Sequence, residues 1–342
     1  MAVRVGILGA TGYTGVELLR LLRNHPEAEV SYCSSRQYNG QKISEVFEFL
    51  QGIVEMPLEE FDVSAIASRC DVVFSCLPHQ TSMGFISQLP ASVRIIDLSA
   101  DFRLRDAATY ASWYQEHSAP DLLGQAVYGL CEVYRAQIKS ARLIANPGCY
   151  PTSVLLPLIP LLKAGLVEAK GIIVDAKSGV SGAGRGLSLK THICEAGENF
   201  SAYKVGRSHR HIPEIEQELG LAAGTGLNID FSAHLIPASR GMLSTIYLNT
   251  SRSEAELKAC LREFYAGSAF VSVRDNIPAI KDVRATNRCA IGLTVNEVTG
   301  RAVIVSVIDN LTKGAAGQAL QNMNLMFDLP ETRGLDLLPV FP

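Results

Sequence analysis

A chain of 342 residues is longer than one hydrophobic core usually supports, so we expect two domains. Hydrophobic residues make up 47% of the sequence and charged residues 19%, which is typical of a soluble enzyme. The formal net charge of -3 argues against nucleic acid or an anionic membrane surface as the main partner.

Two features of the sequence predict a cytoplasmic protein. The N-terminus runs directly into VRVGILGATG, without the leader and cleavage site of a signal peptide, and the apolar runs are far shorter than the about 20 residues of a membrane span. None of the eight cysteines falls in a C-x-x-C pair, and a reducing compartment argues against disulfides.

The first half of the chain alternates short apolar runs with helical or irregular segments. The predicted strands are 3–8, 28–33, 71–77, 93–99 and 141–147. This alternation is typical of a parallel α/β sheet with crossover connections.

Four glycines mark the turn from the first strand into the first helix. Gly6, Gly9, Gly12 and Gly15 are spaced three apart. Glycine lets the backbone approach a pyrophosphate, whose charge is then met by amides at the helix N-terminus. The position favours a dinucleotide site over a purely structural turn.

The end of the second strand indicates which dinucleotide binds. Enzymes that use NAD place an acidic side chain there for the ribose hydroxyls, whereas this chain reads CSSRQ, residues 33–37. Two serine hydroxyls and the Arg36 guanidinium suit a 2′-phosphate, so we favour NADP. A solvated loop arginine is the alternative.

The stretch NPGCYPT places Cys149 directly before an apolar helical segment. A thiol at a helix N-terminus faces unpaired amides and the positive end of the helix dipole, which stabilise the thiolate. We interpret Cys149 as a nucleophile and the other seven cysteines as buried, inert residues.

After Pro151 the predicted strands become longer and more alternating, which suggests a mixed or antiparallel sheet with helices on one face. They are 171–178, 228–237, 242–250, 289–297 and 301–309, and a last apolar helix is predicted over 314–327. The predicted fold is α/β: a dinucleotide-binding domain of Rossmann type over 1–148 and an α+β substrate and oligomerisation domain over 149–312. A C-terminal helix at about 313–342 packs back on the first domain.

Two histidines in HRHIPE are candidates for proton transfer. His209 and His211 are two residues apart, so in an extended segment both point the same way. A metal site is poorly supported, because two histidines need a third ligand and neither HExxH nor a cysteine cluster is present. An unrelated pair of loop histidines is the remaining alternative.

Two further loops follow predicted strands, where ligands bind in open α/β sheets. DLSADFR ends on Arg103, and SGVSGAGR, residues 178–185, is rich in glycine and able to wrap a ligand with backbone amides. Each loop is either part of a site or a simple turn.

These motifs, together with CLPH, YGL and VIDNLTKGAAGQALQNMN, resemble N-acetyl-γ-glutamyl-phosphate reductase of arginine biosynthesis, a family related to aspartate-semialdehyde dehydrogenase. The resemblance extends from Gly9 to Asn324. It implies NADPH-dependent reduction of an acyl phosphate through a cysteine thioester, and a homo-oligomer, commonly a tetramer.

The resemblance also implies residue roles. Cys149 is implied as nucleophile and His211 as general acid/base, with substrate contacts from Arg103, His209, Arg185 and Glu214. The implied cofactor contacts are Gly9, Thr11, Gly12, Tyr13, Thr14, Gly15, Ser34, Ser35, Arg36, Leu77, Pro78, Ser178, Gly179, Ser181, Gly182 and Asn310. No metal is implied.

Two other readings remain open. An N-acyl-α-aminoadipyl phosphate reductase of lysine biosynthesis would act on a substrate one methylene longer, and one methylene discriminates by only about 1 to 3 kcal/mol. A non-catalytic NADPH-binding redox sensor would leave Cys149 dispensable and the histidine pair without a purpose.

Overall fold

The computed structural model describes residues 2–341, so Met1 and Pro342, the outer ends of the predicted domain ranges, lie outside the described residues. The chain forms two compact units. The first runs through Pro147 and takes in Ala315–Asp336, and the second is Gly148–Gly314 with the tail from Leu337.

The first unit contains a six-stranded sheet in which every pair of neighbouring strands is parallel. Its elements are β1 (Val3–Leu8), α1 (Tyr13–Leu22), β2 (Ala28–Ser34), α2 (Ile43–Val46), α3 (Val63–Arg69), β3 (Val72–Ser75), α4 (Ser82–Ile86), β4 (Arg94–Asp97), α5 (Ala107–Trp113), β5 (Ala126–Tyr128), α6 (Cys131–Ser140) and β6 (Leu143–Ala145). The strand order is β2-β1-β3-β4-β6-β5, so the parallel sheet predicted from the sequence is confirmed.

The second unit contains a mixed seven-stranded sheet, which confirms the predicted second sheet. Its elements are α7 (Cys149–Lys163), β7 (Ile172–Gly179), α8 (Ile193–Ala196), β8 (Ser201–Tyr203), α9 (Ile212–Ala223), β9 (Ile229–Ile236), β10 (Met242–Asn249), α10 (Glu254–Phe264), β11 (Val271–Val273), β12 (Cys289–Asn296) and β13 (Arg301–Ile308). The strand order is β11-β12-β13-β10-β7-β9-β8. Side chains of β7 and β10 alternate between buried and half-buried, the pattern of a sheet with one covered face.

Helix α7 is buried from Tyr150 to Leu162 although it contains Pro157 and Pro160. Proline has no N–H, so Pro160 leaves the carbonyl of Leu156 without its helical donor. The hydroxyl of Tyr265 donates to that carbonyl at 2.5 Å and replaces the missing bond. The apolar helix can therefore remain continuous inside the unit.

The C-terminal helix is shorter than the predicted 314–327. A π-helical turn, Thr312–Ala316, precedes α11 (Gly317–Met326), and α11 belongs to the first unit. From Leu337 the tail instead groups with the second unit, where Val340 donates its N–H to the carbonyl of Arg284 at 3.1 Å. Among residues 2–341 no helix is both long and apolar enough to cross a membrane.

Candidate active site

The glycine turn between β1 and α1 has the geometry that the sequence predicts. Gly9 has a φ of +76°, which a side chain would strain. A Cβ on Gly15 would lie 2.7 Å from the carbonyl oxygen of Ala10, so only glycine lets α1 start this close to the turn. At Gly12, the N-cap of α1, a Cβ would meet only the Gly9 carbonyl at 3.6 Å, which leaves open space in front of the helix.

The open N-terminus of α1 fits a dinucleotide phosphate. No side chain within the described chain caps it, so its first amides face the space beside Gly12. Around this turn Thr11, Gly12 and Thr14 are half-buried, and Tyr13 is exposed. The turn is thus a cradle for an anion in which a larger side chain at Gly9 or Gly15 would not fit.

The end of β2 places the predicted 2′-phosphate residues beside the same turn. Ser34 accepts the N–H groups of Gly9 and Ala10 on its carbonyl at 3.1 and 3.0 Å, and the hydroxyl of Ser35 lies 3.1 Å from that of Thr11. Both serines are buried, whereas Arg36 is exposed. The arginine side chain is therefore on the solvent side of a hydroxyl-lined turn.

A second loop of the first unit, 76–80, borders the glycine turn. A Cβ on Gly9 would lie 2.9 Å from the carbonyl oxygen of Cys76 and 3.5 Å from the side chain of Leu77. Leu77 is half-buried and Pro78 is exposed. Of the two residues predicted to contact the cofactor in this loop, Leu77 therefore lies beside the glycine turn, and Pro78 follows it in the chain.

Arg103 is buried inside the first unit, with 5% of its surface exposed. Its guanidinium donates to the backbone carbonyls of Asn146 and Leu98, each at 2.8 Å. The guanidinium is therefore a cation in a desolvated position, which suits binding of an anion.

Cys149 is the first residue of α7 in the second unit and is half-buried. The N-cap is Gly148, with extended backbone (φ -69°, ψ 159°), and within the described chain no side chain caps the helix. The positive end of α7 therefore acts on the thiol itself.

Glu214 lies at this same helix end. It is buried in the first turn of α9, and its Oε1 accepts the N–H of Gly148 at 2.9 Å. The carboxylate thus fixes the turn that precedes Cys149. The sequence implied only a substrate contact for Glu214, and a bond between residues 66 positions apart could not be read from a local pattern.

The segment of His209 and His211 is a turn, so the predicted extended conformation is wrong. His211 is the N-cap of α9 with helical φ and ψ, and Pro213 is the second residue of the helix, where the missing N–H of proline costs nothing. The N–H of His211 donates to Nδ1 of His209 at 3.1 Å, and the two rings lie 4.9 Å apart. The pair is close through a tight turn and not through strand alternation.

Both imidazoles pack on Tyr150, the residue after the thiol. Ring centroids of His209 and His211 lie 5.2 and 5.8 Å from that of Tyr150. The Tyr150 hydroxyl is 2.9 Å from that of Tyr203, and burial raises the pKa of both phenols, that of Tyr203 to about 12. These neutral rings enclose the histidines beside the helix end that carries Cys149.

Burial determines the protonation of His209. Burial, with a smaller effect of the Lys204 cation, lowers the pKa of His209 to about 4. The ring is therefore neutral near pH 7, and its Nδ1 accepts the His211 amide, which leaves the proton on Nε2. A permanently neutral ring can position a ligand but is poorly matched to donating a proton near pH 7.

The second glycine loop is organised by Asn310. Its Nδ2 donates to the Ser181 hydroxyl at 2.9 Å, and its Oδ1 accepts the N–H of Gly241 at 2.8 Å. A Cβ on Gly182 would lie 2.9 Å from the hydroxyl of Ser178, and one on Gly179 would lie 2.9 Å from the Ala238 carbonyl. The structure thus brings together the five predicted cofactor residues of this unit, namely Ser178, Gly179, Ser181, Gly182 and Asn310.

Two residues complete the comparison with the sequence predictions. Arg185 is exposed on the loop that follows these glycines. Gly314, which sequence reasoning missed, abuts the nucleophile, because a Cβ there would lie 2.7 Å from Cβ of Cys149. It sits in the π-helical turn 312–316, and such turns are frequent at functional sites.

Known proteins match the chain over nearly its whole length. The model of the semialdehyde dehydrogenase NAD binding domain matches residues 4–141, and that of the semialdehyde dehydrogenase dimerisation domain matches residues 149–310. N-acetyl-gamma-glutamyl-phosphate reductase of Geobacter sp. (strain M21) is 53% identical, covering 99% of this chain and 100% of the relative. The reductase of Symbiobacterium thermophilum is also 53% identical, with 100% of both chains covered.

Solved structures share the fold at low sequence identity. Aspartate semialdehyde dehydrogenase II of Vibrio cholerae, complexed with ASA, superposes with a TM-score of 0.69 at 17% identity, over 96% of this chain and 99% of that one. The NADP-bound aspartate semialdehyde dehydrogenase of Candida albicans gives 0.70 at 16% identity, with 96% and 99% covered.

Proposed function

The chain belongs to the N-acetyl-gamma-glutamyl-phosphate reductase family, and from this premise we propose how its residues carry out the reaction. It is an oxidoreductase of arginine biosynthesis with a domain that binds a nicotinamide dinucleotide. The reaction is reduction of N-acetyl-γ-glutamyl phosphate to N-acetylglutamate 5-semialdehyde, with release of phosphate. The observation that carries the assignment of residues is the thiol at the open end of α7, beside two histidines.

Cys149 is the nucleophile. Its thiolate, stabilised by the α7 dipole, attacks the carbonyl carbon of the acyl phosphate, and the carbon–oxygen bond to phosphate breaks. Phosphate leaves as an anion, and the acyl group stays on sulfur as a thioester. Arg103 and Arg185 are the cations proposed to bind the leaving phosphate.

The bound dinucleotide supplies the hydride that reduces the thioester. The product of that reduction is a thiohemiacetal on Cys149, and its oxygen must exchange a proton as the carbon–sulfur bond breaks. His211 is the proposed general acid/base, because imidazole has an unperturbed pKa near ~6.5. The neutral His209 ring and Glu214 position the substrate and the turn before Cys149.

We assign NADP as the preferred dinucleotide. The buried hydroxyls of Ser34 and Ser35 and the exposed guanidinium of Arg36 stand where enzymes specific for NAD carry an acid. Arg36 binds the 2′-phosphate through charge-assisted hydrogen bonds. The turn residues Gly9–Gly15 and the loop at Leu77 and Pro78 are proposed to hold the rest of the nucleotide, and Asn310 is proposed to contact the nicotinamide.

Residues 1–148, together with the C-terminal helix, form the NADP-binding domain, and 149–312 form the substrate and oligomerisation domain. The second unit displays five large apolar side chains in one exposed stretch, at Leu187, Leu189, Ile193, Phe200 and Val205. Exposed patches of this kind mark interaction surfaces, which supports a homo-oligomer, a dimer or a tetramer. The eight cysteines, none of which falls in a C-x-x-C pair, suit a reducing, cytoplasmic location.

An assay in the reverse direction tests the substrate. N-acetylglutamate 5-semialdehyde, phosphate and NADP⁺ are supplied, and the absorbance of the reduced dinucleotide is followed. The same assay with the semialdehyde one methylene longer is the matched control. A kcat/KM higher for the longer semialdehyde would assign the chain to the aminoadipyl reaction instead.

A further inference from the structure

The loop that follows β3 contains an unusual backbone conformation. Gln80 has a φ of +70°, in the left-handed region that residues with a Cβ rarely occupy. The loop starts at Cys76, whose carbonyl lies against Gly9 of the dinucleotide turn. Conformational strain of this kind persists only where the surrounding structure holds it in place.

Asp101, in the loop after β4, supplies that hold. It is fully buried, and its Oδ1 accepts the N–H of Gln80 at 2.7 Å, while its Oδ2 accepts the N–H of Met83 at 3.1 Å. The carboxylate therefore spans the turn from the strained residue into the first turn of α4. The Tyr110 hydroxyl donates to Asp101 Oδ1 at 2.8 Å and fixes the orientation of the carboxylate.

Other hydrogen bonds hold these loops, and the one between Ala100 and His79 joins the two. Nδ1 of His79 accepts the N–H of Ala100 at 3.0 Å, and the Ser99 hydroxyl accepts the N–H of Asp101 at 3.0 Å. The side chain of Gln80 donates from Nε2 to the carbonyl of Tyr114 at 3.0 Å. Of these contacts, only the Asp101 carboxylate bonds directly to the backbone N–H of the strained residue.

We propose that Asp101 is a positioning residue for the dinucleotide: it holds Gln80 in the left-handed conformation and so places Leu77 and Pro78 against the bound cofactor. This rests on the proposed cofactor contacts of the 76–80 loop. A carboxylate suits the task because an ionised acceptor can take two N–H donors and binds each more strongly than a neutral group. An amide at this position would turn a donor toward one of the two N–H groups.

The first test compares Asp101→Asn with Asp106→Asn. Asp106 caps α5 by accepting the N–H of Thr109 at 2.8 Å, so it is a carboxylate of the same segment with a purely structural bond. We expect Asp101→Asn to weaken NADPH binding about tenfold, measured by quenching of protein fluorescence, with the KM for the acyl phosphate within twofold of wild type. Asp106→Asn leaves both constants unchanged.

A second pair of variants isolates the backbone strain. In the Asp101→Asn background, Gln80→Gly should recover most of the lost NADPH affinity, because glycine adopts a φ of +70° without a Cβ clash. Gln80→Ala removes the same side-chain bond to Tyr114 but keeps the Cβ, so it should recover none. Recovery by both variants, or by neither, contradicts the proposal.

If Asp101→Asn does not fold, a variant of Tyr110 tests the same proposal. Tyr110→Phe removes only the hydroxyl that orients the carboxylate, and it should weaken NADPH binding about threefold with an unchanged KM for the acyl phosphate. The two Gln80 variants are then made in that background. Unchanged NADPH affinity in Tyr110→Phe and in any folded Asp101→Asn overturns the inference, whereas wild-type protein that binds NADPH but reduces no acyl phosphate overturns the proposed function alone.

Discussion

Helices α1 and α7 begin in the same way and differ in the anion that they serve. Each starts after a glycine N-cap with extended backbone, and within the described chain neither carries a side-chain cap. In front of α1 the space beside Gly12 is open, which suits the phosphate of a ligand. At α7 the first residue is itself Cys149, so the dipole acts on an anion that belongs to the protein.

The surroundings of the two helix ends follow from this difference. Helix α1 keeps an exposed side at Tyr13 and Arg20, whereas α7 is buried from Tyr150 to Leu162. The turn before the thiol is held in place, because Glu214 accepts the N–H of Gly148. A helix end that binds an exchangeable ligand must instead stay accessible.

Replacing the thiol should abolish the function of the α7 end and leave the function of the α1 end unchanged. Cys149→Ser should abolish turnover, because a serine hydroxyl has a far higher pKa than a thiol at a helix N-terminus. NADPH binding, measured by fluorescence, should stay at the wild-type value. Cys194 is exposed, so the prediction that it is buried is wrong, and Cys194→Ser, outside the site, should keep full activity. Substantial turnover by Cys149→Ser would rule out the covalent mechanism.

The histidine pair should show the next largest effect. His211→Asn should lower kcat by roughly two to four powers of ten with little change in KM, since it removes the general acid/base. His209→Asn should mainly raise KM, because this ring is already neutral near pH 7. Rate profiles over pH decide the assignment: it is reversed if the His209 variant, and not the His211 variant, loses the acid/base limb.

The sequence predicted those parts of the molecule that depend on local patterns. Glycine spacing located the dinucleotide turn, and apolar runs located most strands of both sheets. It missed β5, β8 and β11, each of which has three residues. The local sequence could not reveal bonds between distant residues, such as Tyr265 to Leu156, Glu214 to Gly148, or the contact of Gly314 with Cys149.

Buried groups of the two units should respond to pH with opposite signs. Burial, aided by Asp101, raises the pKa of Asp97 in the first unit from 3.8 to about 6, and burial lowers that of His209 in the second unit from 6.5 to about 4. Between about pH 4 and 6 the unfolded chain has released the Asp97 proton while the folded protein still holds it, so the free energy of unfolding falls as pH rises. Between about pH 4 and 6.5 the unfolded chain binds a proton at His209 and the folded protein does not, so the free energy of unfolding falls as pH falls.

The shifted pKa of each group changes the free energy of unfolding by about 3 kcal/mol, since each pKa unit is worth about 1.4 kcal/mol. Urea unfolding between about pH 4 and 6.5 measures this dependence of the free energy of unfolding on pH. Asp97→Asn should remove the loss of stability with rising pH, and His209→Asn should remove the loss with falling pH. Equal slopes in wild type and both variants would show that the two groups are solvated in the folded protein.

Two glycines at α1 should affect different properties: Gly15 the stability of the fold, and Gly12 the binding of the ligand. Gly15→Ala should destabilise the fold by about 1–3 kcal/mol, because its Cβ would overlap the backbone of Ala10. Gly12→Ala has room for its Cβ in the protein, so the melting temperature should change little while NADPH binding weakens. Thermal melting and a binding titration on both variants test this pair. Unchanged NADPH affinity in Gly12→Ala would mean that no phosphate approaches this end of α1.

The smallest expected effect concerns the preference of the dinucleotide site for NADPH over NADH. Arg36→Ala should weaken NADPH by roughly tenfold and leave NADH nearly unchanged, since only NADPH carries the 2′-phosphate. The exposed position limits the gain from the charge, and added salt should narrow the difference further. Arg36→Lys keeps the charge without the planar fork and should fall between wild type and alanine. Binding constants for both dinucleotides at two salt concentrations measure it, and equal losses for NADPH and NADH would remove Arg36 from the phosphate site.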